Sequence, residues 1–161
     1  MDRMAKALVV SDTHGNRSSL NQIAREYADV EYLFHLGDYA MDAEYLADEL
    51  PHAKVISVKG NCDLIADAPE FEEIVIGGNK IILTHGHTLN VKYSYDRVFF
   101  YAQEHEAKAI LFGHTHVPCK EYKAGIWLVN PGSAGEETAG RCSVAMLLAG
   151  SAGIVPKILY L

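Results

Sequence analysis

Short apolar runs alternate along the chain with segments in which apolar residues recur every three or four positions. The stretch 6–11 consists mainly of a continuous apolar run, which is typical of a strand buried on both faces. Within 18–29, Leu20, Ile23 and Tyr27 follow the spacing of one face of a helix. The same two patterns predict helices at 42–50 and 96–106 and strands at 32–36, 54–58, 73–76, 80–84 and 109–112.

Strand patterns dominate the last third of the chain, and helix patterns the part before it. Gly77, Gly78 and Asn79 are turn residues between two predicted strands, so we predict a hairpin there. Pro51 is expected to end the second helix and Asp96 to cap the third. This order predicts an α/β core with added antiparallel strands, in which two sheets pack together. The late strands are predicted at 119–123, 126–129, 143–148 and 154–160.

Length and composition are those of an ordinary globular protein, and we expect one domain over 1–161. Of the 161 residues, 49% are hydrophobic and 22% are charged. No stretch reaches the ~20 apolar residues of a membrane span, and the N-terminal residues lack the apolar core of a secretory signal. Three widely spaced cysteines argue against a disulfide framework and for a reducing compartment. We therefore expect a cytoplasmic protein that does not associate with membranes.

The charge balance is acidic, with a net charge of −7. Affinity for the backbone of nucleic acids comes from clustered lysine and arginine, so we expect no stable binding of a duplex. A small phosphate ester is not excluded, because bound divalent ions would place positive charge in one cleft.

Five of the predicted strands end in side chains that bind metal ions well. Because the carboxyl ends of parallel strands meet at one edge of an open sheet, we expect these side chains to converge. They are Asp12 and His14 after the first strand, Asp38 after the second, Asn61 after the third, His85 after the hairpin, and His114 and His116 after 109–112.

Each of these residues also has an ordinary structural interpretation. Asp12 is placed to cap a turn, and His114 and His116 could be two histidines of one loop. To explain the whole pattern without a metal site, an ordinary structural interpretation would have to hold at five strand ends at once. Glycines beside the candidates, such as Gly60 and Gly113, favour a metal site, because glycine permits the close backbone approach that a crowded site needs.

Taken in order, these motifs resemble those of the calcineurin-like metallophosphoesterase superfamily, and of its small stand-alone bacterial and archaeal phosphodiesterases in particular. The resemblance extends from Ala5 to about Ser133. It implies a four-layer α/β/β/α sandwich of two mixed β-sheets flanked by helices. The motifs are Asp12-Thr13-His14, Gly37-Asp38, Gly60-Asn61-Cys62-Asp63, His85-Gly86-His87 and Gly113-His114-Thr115-His116, and Asn130-Pro131-Gly132-Ser133 is similar to a later segment of these proteins.

The resemblance also implies a centre with two divalent ions, bridged by Asp38. Mn²⁺ is the expected metal, with Ni²⁺, Zn²⁺, Fe²⁺, Co²⁺ or Mg²⁺ as alternatives suited to carboxylate, imidazole and amide ligands. A hydroxide between the ions would attack phosphorus in line with the leaving oxygen of a small phosphate ester. Asp38, Asn61 and His85 would thereby serve catalysis directly. One ion is expected on Asp12, His14, Asp38 and His116, and the other on Asp38, Asn61, His85 and His114.

Cys62 is a departure from many relatives, which have a histidine there that is thought to protonate the leaving group. A thiol with an ordinary pKa of ~8.5 is a weak acid, so we expect diesters with good leaving groups to react fastest. His87 is the alternative proton donor, although a role as a loop residue stays open. Asn16 and Arg17 are the candidates for substrate contacts, since arginine binds phosphate well.

Other polar and aromatic residues near the motifs receive weaker interpretations. Asp63 is expected to accept a hydrogen bond from a ligand imidazole. His35 lies within a predicted strand and is interpreted as a core histidine without a role. For the four aromatic residues within 93–100, core packing is favoured over stacking on a base or aryl group.

Three alternatives to a phosphodiesterase remain. The protein could be a phosphomonoesterase, or a nuclease of the same superfamily acting on short or single-stranded substrate. It could also be a non-catalytic protein-binding scaffold, as one retromer subunit of this fold is, although every ligand position is filled here. A homo-oligomer is left open, because the apolar strand 154–161 can complete a sheet or join a partner.

Overall fold

Two five-stranded β-sheets lie face to face in the computed structural model, which describes residues 3–64, 67–137 and 140–161. Within these ranges the helices do not reach the length and apolar character needed to cross a membrane. In chain order the elements are β1 (Ala5–Val10), α1 (Arg17–Glu26), β2 (Tyr32–His35), α2 (Met41–Glu49), β3 (Lys54–Ser57), β4 (Phe71–Ile76), β5 (Asn79–Thr84), a 3-10 helix (His87–Leu89), α3 (Asp96–Glu104), β6 (Ala109–Leu111), β7 (Cys119–Lys123), β8 (Ile126–Asn130), β9 (Ser143–Gly150) and β10 (Gly153–Tyr160).

Both sheets are mixed. The first has the strand order β10-β9-β1-β2-β3, in which β1, β2 and β3 are parallel and β9 and β10 add antiparallel pairs. The second has the order β4-β5-β6-β8-β7, in which β5, β6 and β8 are parallel and both edge strands are antiparallel. Each sheet thus carries three parallel strands whose carboxyl ends meet at one edge, and it is there that ligand loops are expected.

The core consists of three apolar layers that follow from alternation along the strands. On β1, Ala7 and Val9 belong to the cluster between the two sheets, whereas Leu8 and Val10 pack with residues of α1 and α2. On the second sheet, the outward side chains, Ile110 among them, pack with α3. The layer order is therefore α/β/β/α, which confirms the fold expected from the sequence.

The hairpin between β4 and β5 forms at the predicted turn. Gly77 and Gly78 have φ of +58° and +83°, and two left-handed residues in a two-residue loop match the twist of the flanking strands. The first strand of the hairpin starts earlier than predicted, at Phe71, which pairs with Thr84.

Helix boundaries differ from the predictions at several ends. Asn16 is the N-cap of α1, which therefore begins before residue 18, and the helix ends at Glu26. The prediction that Asp96 caps α3 is wrong: Tyr95 is the N-cap, and Asp96 is the first helical residue, with its N–H bonded to the Ser94 hydroxyl. The same helix ends at Glu104, ahead of Glu106, whose φ of +56° is incompatible with helix.

Candidate metal centre

The seven predicted ligand side chains come together at the edge where the parallel strands of both sheets end. His116 Nε2 lies 3.2 Å from Asp12 Oδ1, and His14 Nε2 lies 4.0 Å from the same oxygen. On the other side, His85 Nε2 lies 3.2 Å from His114 Nδ1 and 3.1 Å from Asn61 Oδ1. Five loops, distant in sequence, thus deliver carboxylate, imidazole and amide groups to one place.

Each of the two carboxylates has one oxygen held by the protein and one turned to the imidazoles. Asp12 Oδ2 accepts hydrogen bonds from the Ser11 hydroxyl at 2.5 Å and from the His114 N–H at 3.1 Å. Asp38 Oδ1 accepts from the Cys62 N–H at 3.0 Å, while its Oδ2 lies 3.5 Å from His85 Nε2. Both carboxylates are almost fully buried, so the oxygens that face the imidazoles need cationic partners.

The imidazole of His85 is oriented by a backbone carbonyl. Its Nδ1–H donates to Leu36 O at 2.8 Å, so in the neutral ring Nε2 carries a lone pair. That lone pair faces Asn61 Oδ1, which has no proton either. In addition, His14 Nε2 is buried and has no hydrogen-bond partner among the described residues. Opposed lone pairs and an orphaned nitrogen are what a metal-ligand set presents, so the residues present fit divalent ions.

The protonation states of Asp12 and His114 also suit metal ligands. Burial would raise the pKa of Asp12, but the hydrogen bond from His116, the nearby imidazole of His85 and the hydrogen bond from Ser11 hold that pKa below its usual range. Burial, with smaller contributions from His85 and Lys92, lowers the pKa of His114 to about 4. At neutral pH Asp12 is therefore ionised and His114 neutral, the forms in which each binds a metal.

Five of the seven candidates adopt left-handed backbone conformations. Their φ values lie between +46° and +70°, a region that non-glycine residues enter rarely and at a cost of about 1–3 kcal/mol each. Such strain persists only where surrounding contacts impose it, and it clusters at functional sites. The five residues are Asp12, His14, Asp38, His114 and His116.

Two glycines beside the ligands leave no room for a side chain. A Cβ on Gly113 would overlap the Ser11 hydroxyl and the Asp12 carboxylate. A Cβ on Gly60 would overlap the carboxylate of Asp38. Close backbone approach therefore explains why glycine accompanies these two ligand loops.

Asp63 positions the loop of Asp38 in a way that the sequence did not indicate. Its carboxylate accepts from the N–H groups of Asp38 at 2.7 Å, Ala40 at 2.8 Å and Gly60 at 2.8 Å. The expectation that it would accept from a ligand imidazole is wrong, because backbone amides of two ligand loops occupy both oxygens. Asp63 thus ties the loop after β2 to the loop after β3.

His35 also has a position beside the centre, whereas the sequence suggested no role. It is fully buried, its Nδ1 accepts from the Gly37 N–H at 3.2 Å, and its Nε2 lies 2.9 Å from Thr13 Oγ1. Because Nδ1 accepts, the proton is on Nε2 and is donated to Thr13. Burial lowers the pKa of His35 to about 4. A neutral His35 therefore joins the loops that carry Asp12 and Asp38.

The end of β8 and the segment that follows it support the ligand loops after β6 and β1. Asn130 Nδ2 donates to Gly113 O at 3.1 Å and to Thr115 Oγ1 at 2.9 Å. The Ser133 hydroxyl donates to Asp12 O at 2.8 Å. The motif that contains Asn130 and Ser133 was noted in the sequence, but its contacts were not predictable from it.

Glu136 is a further residue that sequence reasoning missed. Its Oε2 lies 3.2 Å from His116 Nδ1, on the side of the ring opposite to Asp12. Carboxylates in this position fix the orientation of a ligand imidazole and raise its basicity. No motif or spacing in the sequence marks Glu136, because the contact depends on how the loop folds back.

The remaining predicted site residues lie around the seven without joining them. His87 is in the 3-10 helix, with its ring centroid 5.3 Å from that of His85, and its buried Nδ1 has no partner within the described residues. Asn16 uses Oδ1 to cap α1 and Nδ2 to reach Gly135 O at 2.9 Å. The guanidinium of Arg17 is 4.0 Å from the ring centroid of Tyr45. Roles in proton transfer or substrate binding stay predictions for all three.

Comparison with known proteins identifies the family. The family model of the calcineurin-like phosphoesterase superfamily domain matches residues 5–151. The chain belongs to this superfamily. This confirms the resemblance found in the sequence motifs.

Two relatives within the calcineurin-like superfamily carry names of phosphoesterases. The probable metallophosphoesterase YsnB of Bacillus subtilis is 37% identical over 127 residues, which are 78% of this chain and 73% of that protein. The phosphodiesterase YfcE of Escherichia coli is 28% identical over 156 residues, with 81% of this chain and 79% of that protein covered. The structure of Vacuolar Protein Sorting 29 from Cryptosporidium parvum has the same fold, with a TM-score of 0.78 at 18% identity and 99% of both chains covered.

Proposed function

We propose that this phosphoesterase-family chain is a phosphodiesterase that hydrolyses small phosphate esters with two divalent ions. The observation that carries the proposal is the convergence of seven ligand side chains whose free atoms face one another, with His85 Nε2 3.5 Å from Asp38 Oδ2 and 3.1 Å from Asn61 Oδ1. The name of its relative YfcE supports diesters over monoesters. The proposed ligand sets are Asp12, His14, Asp38 and His116 for one ion, and Asp38, Asn61, His85 and His114 for the other.

The bridging role proposed for Asp38 has a competitor in Asp12. Two groups of three side chains are close enough to share an ion, namely Asp12 with His14 and His116, and Asp12 with Asp38 and His85. Asp12 is common to both groups. Both carboxylates face one histidine of each proposed set: Asp38 Oδ2 lies 3.5 Å from His85 and 3.9 Å from His14, and Asp12 Oδ1 lies 3.8 Å and 4.0 Å from them. We propose Asp38 as the bridge because the resemblance to the family implies it.

When bound, divalent ions lower the pKa of coordinated water and offset charge on the phosphoryl oxygens. The chain's own contribution is to hold the ligands in place before the reaction. The Leu36 carbonyl fixes the His85 ring, Asp63 fixes the Asp38 loop, and Glu136 fixes the His116 ring. Such fixed groups need little reorganisation as charge develops on the substrate. We propose Mn²⁺ as the native metal, with Ni²⁺, Zn²⁺, Fe²⁺, Co²⁺ and Mg²⁺ as alternatives.

Protonation of the leaving group is the weak step of this proposed reaction. Burial and then the neighbouring Asp38 raise the pKa of the Cys62 thiol, which makes it a still weaker acid. We propose His87 as the donor instead, since its Nδ1 has no partner within the described residues. Burial lowers the pKa of His87, so the protonated form is a minor one at neutral pH. Proton donation by a residue outside the ligand set favours leaving groups that need little protonation, such as aryl or nucleotidyl oxygens.

We therefore expect bis(p-nitrophenyl) phosphate to be hydrolysed much faster than a dialkyl ester. A second test uses ethyl p-nitrobenzyl phosphate, a diester whose two alkoxide leaving groups are both poor. Cys62→His should raise turnover of this dialkyl ester more than turnover of the aryl diester, because an imidazole donates a proton near neutral pH. Cys62→Ser is the control that removes the thiol without adding an acid. Comparable wild-type rates on both esters would contradict the expectation.

Arg17 and Asn16 are the proposed substrate contacts. Arg17 is exposed at the start of α1, so its guanidinium can leave the Tyr45 ring for a phosphate oxygen. Asn16 would exchange its hydrogen bond to Gly135 for one to substrate. An Arg17→Met variant should raise KM with little change in metal content.

The deciding experiment strips the protein of metal and adds back Mn²⁺, Ni²⁺, Zn²⁺ or Mg²⁺. Hydrolysis of bis(p-nitrophenyl) phosphate is then compared with that of p-nitrophenyl phosphate. Metal-restored turnover of the diester is the expected result. Turnover of the monoester alone would make the protein a phosphomonoesterase.

A protein-binding scaffold is the second candidate, because the fold is shared with a Vacuolar Protein Sorting 29 protein. Metal stoichiometry separates the two candidates: two bound ions per chain support the enzyme, and no bound ion with no turnover supports the scaffold. The expectations of a cytoplasmic, single-domain protein without stable duplex binding stay predictions.

A further inference from the structure

A groove opens beside the metal centre, between the segment 91–95 and the loop that carries His114 and His116. It has a volume of about 500 Å³, and its walls include Lys92, Tyr93, Tyr95, Thr115 and Val117. Thr115 stands between two of the proposed metal ligands. The groove therefore borders the loop that carries His114 and His116.

One wall of the groove packs against the apolar core, whereas the rim is exposed to solvent. The ring of Tyr95 packs against Phe112 with centroids 4.9 Å apart and belongs to the apolar cluster under α3. Tyr93, by contrast, is 91% exposed, so the core packing favoured from the sequence does not apply to it. An exposed aromatic ring at the rim of an active-site groove offers a stacking surface for a flat ring.

Lys92 supplies a positive charge at the same groove. Its side chain is exposed, and within the described part of the chain its ammonium takes part in none of the ion pairs formed by lysine and arginine. In a protein with a net charge of −7, a cation without an acidic partner beside the centre attracts anions.

The other cleft beside the centre has the opposite character. It has a volume of about 1120 Å³ and lies between α2 and the loop that contains Cys62, whose N–H bonds to Asp38. Glu44, Asp63 and Asp67 line it, and its described lining includes no lysine or arginine. An anionic group on a substrate would be repelled there and attracted at Lys92.

We infer that the groove binds the nucleoside arm of a phosphodiester that carries a second phosphate, with the base stacked on Tyr93 and the second phosphate paired with Lys92. The inference rests on the proposed phosphodiesterase function and narrows its substrate class. A nucleotide unit combines a flat ring with an additional anion, and these are the two features that the groove complements. The uncharged arm of the same diester faces the larger acidic cleft.

Binding of product-like nucleotides tests the role of Lys92. Calorimetry on metal-loaded protein compares thymidine 3′,5′-bisphosphate with thymidine 5′-monophosphate. The wild type should bind the bisphosphate about fivefold more tightly, the upper range for an exposed ion pair. Lys92→Met should abolish this ratio, whereas Lys120→Met, an exposed lysine on β7, should keep it. An unchanged ratio in Lys92→Met overturns the inference.

The role of Tyr93 has a separate readout. Tyr93→Ala should weaken both nucleotides roughly tenfold, within the range for one base stacked on an aromatic side chain, and leave binding of inorganic phosphate unchanged. Tyr122→Ala, which removes another exposed tyrosine on β7, should change neither. Equal loss of inorganic phosphate binding in Tyr93→Ala would show a damaged centre and count against stacking.

Hydrolysis assays distinguish a failure of this inference from a failure of the proposed function. Thymidine 5′-(p-nitrophenyl phosphate) is compared with its 3′-phosphorylated form, and all products are counted by chromatography. A wild-type preference for the 3′-phosphorylated diester that is lost in Lys92→Met supports the groove assignment. If no ester is hydrolysed with any metal, the proposed function fails, and the calorimetric ratios still decide whether the groove binds nucleotides.

Discussion

Backbone strain and ligand chemistry coincide at single residues of the centre. Asp38 has a φ of +57°, and its N–H and Oδ1 are held by Asp63 and Cys62. Asparagine is among the residues most tolerant of this conformation, so replacing Asp38 by Asn changes the charge without adding backbone strain. The substitution therefore probes chemistry more than folding.

Asp38→Asn should abolish hydrolysis and weaken the binding of both ions, because the proposed bridge loses its charge. Metal content by mass spectrometry and turnover of bis(p-nitrophenyl) phosphate measure the two effects. Asp48→Asn, on the exposed side of α2, should change neither. A fully active Asp38→Asn enzyme would rule out the bridging role.

His35 should make the stability of the metal-free protein depend on pH. Its pKa is about 4 in the folded state, below its ordinary value of 6.5, because the buried ring resists protonation. The unfolded chain thus binds more protons between these values, so this contribution is complete above pH 6.5 and is lost as the pH falls toward 4. The loss amounts to roughly 3 kcal/mol.

Urea unfolding in the presence of a chelator measures this effect. His35→Gln should lower stability at pH 7, since the hydrogen bonds to Thr13 and Gly37 are disturbed, but its stability should fall less than that of the wild type between pH 6.5 and 4. His52→Gln, at an exposed position, should reproduce the wild-type slope. Identical slopes in His35→Gln and wild type would exclude the assigned proton linkage.

At the scale of elements, the loops after the parallel strands depend on a segment that holds no ligand. Asn130, at the end of β8, bonds to Gly113 and Thr115 of the loop after β6. Asn79 provides a matched comparison, because its side chain is also buried and bonds to Ile76 O and Gly150 O, away from the centre.

Asn130→Ala and Asn79→Ala should each destabilise the protein by about 1–3 kcal/mol, because buried backbone carbonyls lose their donor. Only Asn130→Ala should weaken metal binding, by about 10- to 100-fold, as removal of groups that orient ligands commonly does. Urea unfolding and metal titration measure the two quantities. Equal metal affinity in the two variants would mean that Asn130 serves stability alone.

Local patterns predicted the elements, whereas long-range contacts escaped prediction. The apolar run of β1 and the helical spacing of Leu20 and Ile23 arise because residues close in sequence are buried together. Such a pattern is visible in the sequence itself. The convergence of the candidate ligands was predictable for a similar reason, since each follows a strand. Ser133 bonds to Asp12 across 121 positions, and His35 to Thr13 across 22, and no local signal records such pairs.

At the scale of the whole molecule, the centre draws on both sheets. Asp12, Asp38 and Asn61 follow strands of the first sheet, and His85 and His114 follow strands of the second. Ions held by this set would therefore tie the two sheets together at one edge. The free energy of metal binding would then add to the stability of the sandwich.

We expect Mn²⁺ to raise the melting temperature in a concentration-dependent way. At a free concentration of 100 times Kd, one ion adds about 2.7 kcal/mol, which corresponds to a rise of roughly 5–11 °C for a domain of this size. Differential scanning fluorimetry on metal-stripped protein measures the shift, and Asp38→Asn should show a much smaller one. Calorimetric binding of two ions without any shift would contradict a centre that links the sheets.

The position of β1 in the middle of its sheet has a consequence for protein synthesis. One edge of β1 pairs with β2, which follows soon in the chain, but the other pairs with β9, whose residues extend to Gly150. At about 5–20 residues per second, that edge stays open for roughly seven to thirty seconds while the chain is on the ribosome. An open apolar edge is a template for pairing with other chains. The nascent protein is therefore most vulnerable to aggregation, and most dependent on chaperones, between the emergence of β2 and that of β9.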